Sequence, residues 1–141
     1  MSTQNEENNN LTAKLPKYFI DIDWHYRHKR TLSSLVRSRL SVLGEENLSE
    51  VPKNKSETVI FSKLKKLKIR SGPFIPPDLP IKEAVFRIFL LAGNTPMDSE
   101  QVRDKLMKWW LDIGPYKDIE SISLQRMMDS DSYYGFRQVK A

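Results

Sequence analysis

The chain of 141 residues contains no cysteine. That excludes disulfides, thiolate zinc sites, iron–sulfur clusters and cysteine nucleophiles. Its five glycines each stand alone at an element end, so no glycine-rich phosphate loop is present. Ser, His and Asp occur together near residues 21–34, but without a nucleophile motif. No apolar run approaches the roughly 18 residues that a membrane span needs. The longest, Ile88 to Ala92, is a buried helix segment. The N-terminus is polar and lacks the apolar core of a signal peptide. These absences lead to the expectation of a cytoplasmic protein that is no enzyme and needs no cofactor and no metal.

What is present is charge, unevenly placed. Lys and Arg exceed Asp and Glu by 23 to 18. Residues 1–80 hold 14 basic and 9 acidic side chains, and residues 81–141 hold 9 of each. All the net positive charge therefore lies in the first part, as suits a polyanionic partner. With 39 % hydrophobic residues, the chain can build one modest core. Two halves of this size would have to lean on each other, because units of roughly 60 residues are marginal alone.

Residues 1–13 are polar and Asn-rich and are expected to be disordered. Residues 14–72 read as a basic helical region. Within it, Asp21, Asp23 and His25 alternate with Ile22, Trp24 and Tyr26. The pattern fits a short strand, or an extended entry to a helix capped by Asp21 or Asp23. Thr31 can cap a helix to about Leu43, with Leu32, Leu35, Val36, Leu40 and Leu43 as its apolar stripe and Gly44 as its stop. A second helix is expected from Ser56, burying Val59, Ile60, Leu64 and Leu67. Residues 73–80 carry four prolines and read as a stiff linker between two halves.

In residues 81–141 the spacing predicts three helices and a strand. The first, about Ile81 to Ala92, turns Val85, Ile88, Phe89 and Ala92 inward and stops at Gly93-Asn94. Thr95-Pro96-Met97 is extended. Asp98 and Gln101 form a capping box for a helix reaching about Asp112. That helix buries Val102, Leu106 and Trp110, and Trp109 too. A short helix covers about Ile119 to Met128, and Tyr133 to Val139 alternates as a strand. Val85, Phe89, Val102, Leu106, Leu124 and Val139 are expected to be buried together.

Helix, short extended piece, helix, loop, helix and strand is the order of a winged-helix domain. The stretch EAVFRIFLLAGNTPMDSEQVRDKLMKWW resembles the opening of the HARE-HTH type of winged helix. The ending LQRMMDSDSYYGFRQV resembles its third helix and the following strand. The fold class is therefore expected to be mostly α, with a helical N-terminal half packed against a winged-helix-like C-terminal domain. In two respects the match is incomplete. Only one wing strand is visible before Ala141. The helix that would read bases offers just Gln125 and Arg126, with Asp129 and Asp131 behind them, whereas major-groove readers present Arg, Lys, Asn or Gln.

Two basic sets stand out. Arg27, Lys29, Arg30, Arg37 and Arg39 lie beside Trp24, Tyr26 and His28, with no acidic residue between positions 24 and 44. Cations hold phosphates, and aromatic faces stack on unpaired bases. The competing expectation puts Trp24 and Tyr26 in the core with an ordinary basic rim. Lys63, Lys65, Lys66, Lys68 and Arg70, with Lys53 and Lys55 before them, form the second set. His25 and His28 with Asp21 and Asp23 match no specific zinc spacing. The first functional reading is a small accessory or regulatory nucleic-acid-binding protein that contacts phosphates through these cations. The second is a protein–protein adaptor built on a winged helix. A metal-dependent or hydrolytic role at Asp21–His28 comes third. No membrane attachment is expected, and the sequence fixes no oligomeric state.

Overall fold

A computed structural model describes residues 15–40, 60–62, 74–111 and 119–140. Over these residues the chain is mostly helical with one small antiparallel sheet. Strand β1 is Lys17–Ile20, followed by α1 (Ile22–Arg27) and α2 (Leu32–Leu40). After a helical turn at residues 60–62 come α3 (Ile81–Leu91), β2 (Met97–Asp98), α4 (Ser99–Leu111), α5 (Ser121–Asp129) and β3 (Phe136–Gln138). The expectations for residues 1–13, for Leu43, Gly44, Val59, Leu64 and Leu67, and for the Lys53–Arg70 cations lie outside the described residues.

Of the two readings left open for residues 15–30, the extended entry followed by a capped helix is realised, and the strand reading of the Asp21–Tyr26 alternation is corrected, because those residues are helical. Residues 17–20 form a strand, and Asp21 then caps α1 by accepting from the Trp24 amide at 3.2 Å. Aspartate suits this place because its oxygen satisfies an amide that has no partner within the helix. Thr31 caps α2 in the same way, its hydroxyl accepting from the Ser34 amide at 3.2 Å. Leu32, Leu35 and Val36 then point inward as their spacing predicts.

β1 lies at the centre of the sheet, in the order β2-β1-β3. Tyr18 opposes Met97 on one side and Gln138 on the other, and Ile20 opposes Phe136. Beyond the two paired residues of β2, a side chain continues the ladder. The Asn94 amide accepts from the Ile20 amide at 2.7 Å and donates to its carbonyl at 2.9 Å. Gly93 and Asn94 both adopt positive φ. The residues that stop α3 thus also place Asn94 against the strand.

The strand expectation for Val139 is corrected. Its side chain is 45 % exposed, and Phe136 takes the inward place. Side chains alternate along a strand, so positions three apart face opposite ways. Once Phe136 faces the helices, Arg137 and Val139 face away. Val85, Phe89, Val102, Leu106 and Leu124 are buried as expected.

α3 is the central helix. Ala84, Val85, Phe86, Ile88, Phe89 and Leu90 are all buried, far more than one stripe, as in helices enclosed on most sides. The capping box of α4 forms in both directions: Gln101 N donates to Asp98 Oδ1 and Asp98 N donates to Gln101 Oε1, each at 2.9 Å. Trp110 is fully buried, while Trp109 is half-buried against the core.

The proline-rich stretch does not stand apart as a linker. Phe74 and Ile75 are fully buried in the core cluster that also holds Tyr18, Leu32, Ile60 and Phe89. Arg87 of α3 donates to the Phe74 carbonyl at 2.8 Å and lies over its ring. Proline stiffens this stretch, but Phe74 and Ile75 gain more by burial than they would in an exposed spacer.

Candidate nucleic-acid interface

The first basic set is divided by the fold. Lys29 has φ of 60°, a left-handed turn that ends α1 and brings Arg30 back, its amide donating to the His25 carbonyl at 2.9 Å. The Arg30 guanidinium then lies between two rings, 5.4 Å from the Trp24 centroid and 4.8 Å from that of Tyr133. It also donates to the Tyr133 carbonyl at 3.1 Å. His28 packs on Trp24 at 4.1 Å between centroids and donates from Nδ1 to the Trp24 carbonyl at 2.7 Å. Trp24 is half-buried, Tyr26 is 45 % exposed and Tyr133 is 51 % exposed. Trp24 and Tyr26 are therefore not core residues.

Arg27, His28 and Lys29, next in the chain, are exposed side chains. Arg137 donates to Asp21 at 2.7 Å, and Arg27 approaches the same carboxylate at 4.0 Å. Both arginines remain more than half exposed, so a polyanion can compete for them.

The turn that presents Tyr133 is rigidly mounted. The Asp131 carboxylate accepts from the backbone amides of Tyr133, Tyr134, Gly135 and Phe136 at 2.9–3.2 Å. From the other side, His25 donates through Nε2 to the Tyr134 carbonyl at 2.7 Å. Gly135 has φ of 79°, and an added Cβ would stand 3.1 Å from His25 Nε2 and 3.2 Å from the Trp24 ring. Glycine is required there by both conformation and space. His25 is buried, and its Nδ1 has no hydrogen-bond partner. Burial, reinforced by the nearby Arg30 and Arg39 charges, holds its pKa below the ordinary imidazole value. His25 is thus a neutral structural residue, separated from the exposed His28.

Arg39 goes elsewhere. It makes a two-pronged ion pair with Glu83, at 3.0 and 3.1 Å, and lies over the Phe86 ring. Arg87 donates to the same carboxylate at 2.8 Å, and the Tyr134 hydroxyl donates to it at 3.0 Å. Burial alone would raise the Glu83 pKa, but the two guanidinium hydrogen bonds outweigh it and hold the carboxyl below its usual range. The Tyr134 phenol is pushed up to about 12, by burial and then by the Glu83 charge. Arg39 is only 13 % exposed. Glu83 thus holds Arg39 apart from the exposed Arg27 and Lys29.

Arg37 is half-buried on α2. On α5, Arg126 is exposed and Gln125 is half-buried. Asp129 at the end of α5 accepts from Tyr18 at 2.5 Å and from Gln138 at 2.8 Å. Lys63, Lys65, Lys66, Lys68 and Arg70 lie outside the described residues. The fold therefore unites Arg27, Lys29 and Arg30 with Trp24, and adds Tyr133 and Arg137, which sequence reading passed over. The signal for Tyr133 lay in Asp131 two residues ahead of it, since aspartate readily binds amides downstream in a turn.

Comparison with protein families, with curated proteins and with solved structures returns no match. Among the described residues no three His, Asp or Glu side chains converge to hold a metal ion. No described helix is long and apolar enough to cross a membrane.

Proposed function

We propose that this protein is a nucleic-acid-binding accessory factor that grips phosphates and stacks unpaired bases at the Trp24–Arg30–Tyr133 surface. The observation that carries the reading is the placing of Arg30 between two aromatic rings, one of them half exposed, with exposed Arg27 and Lys29 next to it in sequence and Arg137 on the Asp21 that caps α1. Cations supply affinity for the backbone, and exposed rings supply a sequence-tolerant platform for bases. Such a surface favours single strands, whose bases are free to stack.

A winged-helix arrangement of residues 81–140 is part of this proposal. Its support is the order α3, β2, α4, α5, β3, together with β1. That strand lies antiparallel beside β3, where the expected single wing strand lacked a partner. In this arrangement α5 would be the reading helix. It exposes Arg126 as its only cation among the described residues and ends in Asp129. Phosphate contact and stacking, rather than base reading by α5, are thus the proposed mode.

The test is fluorescence anisotropy with a labelled single-stranded oligonucleotide and with the matching duplex. Binding should favour the single strand and fall steeply with salt as counterions are released. Tyr133→Ala should cost about 1–3 kcal/mol on the single strand, the usual worth of one base–aromatic stack. Equal losses from Gln125→Ala with Arg126→Ala would instead favour groove reading by α5. No binding to either probe at about 50 mM salt, where phosphate contacts are strong, would overturn the proposal.

A further inference from the structure

A second surface lies on α3 and α4. Two adjoining troughs, of about 470 and 210 Å³, share Ala92, Lys105 and Lys108 and so form one open groove. Its floor is apolar: Leu91 and Ala92 from the end of α3, Met97 from β2 and Trp109 from α4. Lys105 and Lys108 stand on its rim, both exposed. Neither makes an ion pair among the described residues. Asp104 is the single carboxylate on the lining.

The spacing explains the shape. Gln101, Lys105 and Lys108 recur at helical intervals on one stripe of α4, and Trp109 lies beside that stripe toward Ile88 and Leu91. Trp109 is half-buried and lines the groove together with Ile88 and Leu91 of α3. An open groove with an apolar floor suits an amphipathic helix laid along it. Its rim selects the charge of that helix, because two unpaired ammonium groups attract carboxylates and repel cations.

We infer that the α3–α4 groove docks an acidic amphipathic helix of a partner protein, with apolar side chains over Ala92 and Trp109 and carboxylates toward Lys105 and Lys108. This inference is independent of the nucleic-acid reading, since the two surfaces share no residue.

The probe is a synthetic peptide of about four helical turns, with leucines on one face and glutamates on the other. A control peptide carries lysines in place of the glutamates. Titration into the full chain, followed by amide NMR shifts, should move residues 92, 95, 97, 101, 105, 108 and 109 with the acidic peptide only. Lys105→Glu with Lys108→Glu should weaken the acidic peptide by about tenfold or more, as expected for reversed rim charges. The same variant should gain affinity for the basic peptide. Because both lysines are exposed, the variant should keep the wild-type amide spectrum outside the groove. Equal binding of both peptides, or unchanged binding by the double variant, would overturn the inference. So would shifts confined to Trp24, Arg30 and Tyr133. If the groove amides instead shift with protein concentration and ignore the peptide, a second copy of the chain is the occupant and the inference fails.

Discussion

Arg30 and Arg39 come from the same acid-free run of sequence, yet they end in opposite circumstances. Arg39 is only 13 % exposed, paired with Glu83 and lying over the Phe86 ring. Arg30 lies between Trp24 and Tyr133 at the surface with other cations beside it. Both contact aromatic rings, so ring contact does not separate them. What separates them is whether a distant carboxylate arrives. Glu83 reaches Arg39 from α3, while none of the described carboxylates pairs with Arg30. A basic run in a sequence is therefore a reservoir of charge that the fold divides between internal ion pairs and surface positions.

The largest effect should come from Glu83→Gln. It leaves Arg39 and Arg87 facing each other without a counter-charge, and breaking a buried pair costs about 3–5 kcal/mol. Urea unfolding should show the loss as a lower midpoint at an unchanged slope. A loss below about 1 kcal/mol, the worth of a surface pair, would mean that Arg39 escapes to solvent and that the contrast with Arg30 is false.

Next in size is the binding counterpart. Arg27→Ala with Lys29→Ala and Arg30→Ala should flatten the salt dependence of oligonucleotide binding by about 0.7 in logarithmic slope per lost contact on a single strand. Arg39→Lys should leave that slope unchanged while lowering stability. If Arg39→Lys flattens the slope as much as any one of the alanine changes, Arg39 belongs to the interface after all.

Gly135→Ala should destabilise by about 1–3 kcal/mol, the range for a residue held at an unfavourable backbone angle. The added methyl would also press on His25 and Trp24. Because it disturbs the mount of Tyr133, it should weaken single-strand binding even at temperatures where the chain stays folded. Unchanged binding by the folded variant would show that the platform does not depend on its mount.

The smallest effect is a pH slope. His25 has a depressed pKa in the folded chain, so the unfolded chain takes up its proton first. Its contribution is complete above the ordinary 6.5 and is lost as pH falls from there through the lower folded value. Glu83, also depressed, follows the same sign in a lower window: its contribution is complete above its ordinary 4.5 and is lost below it. His25→Gln should therefore flatten stability between about pH 6.5 and the Glu83 window while sparing the acid limb. A slope of unchanged size in that variant would show that His25 does not cause it.

Local signals were legible because they act within a few residues. The Asp21 and Thr31 caps, the Asp98–Gln101 capping box and the Gly93-Asn94 stop each join groups within one turn. Helix faces followed from apolar spacing for the same reason. Strand parity was harder, since Tyr134-Phe136 and Tyr133-Val139 offer two alternating sets and only the neighbouring layer chooses between them. The proposed interface was half legible: Trp24 and its flanking cations are adjacent in sequence, whereas Tyr133 and Arg137 arrive from the far end of the chain.

By itself the sequence determined the helices within residues 81–129, the Asp98–Gln101 capping box, the absence of cysteine chemistry and the asymmetry of charge. Tertiary structure decided the rest. It set β1 between β2 and β3, drew Phe74 and Ile75 into the core, gave Arg39 to Glu83 and left Arg30 on its rings. Helical periodicity and capping are short-range and are written into neighbouring residues. Strand pairing and buried ion pairs join residues far apart in the chain, and their partners are fixed only when the layers close on one another.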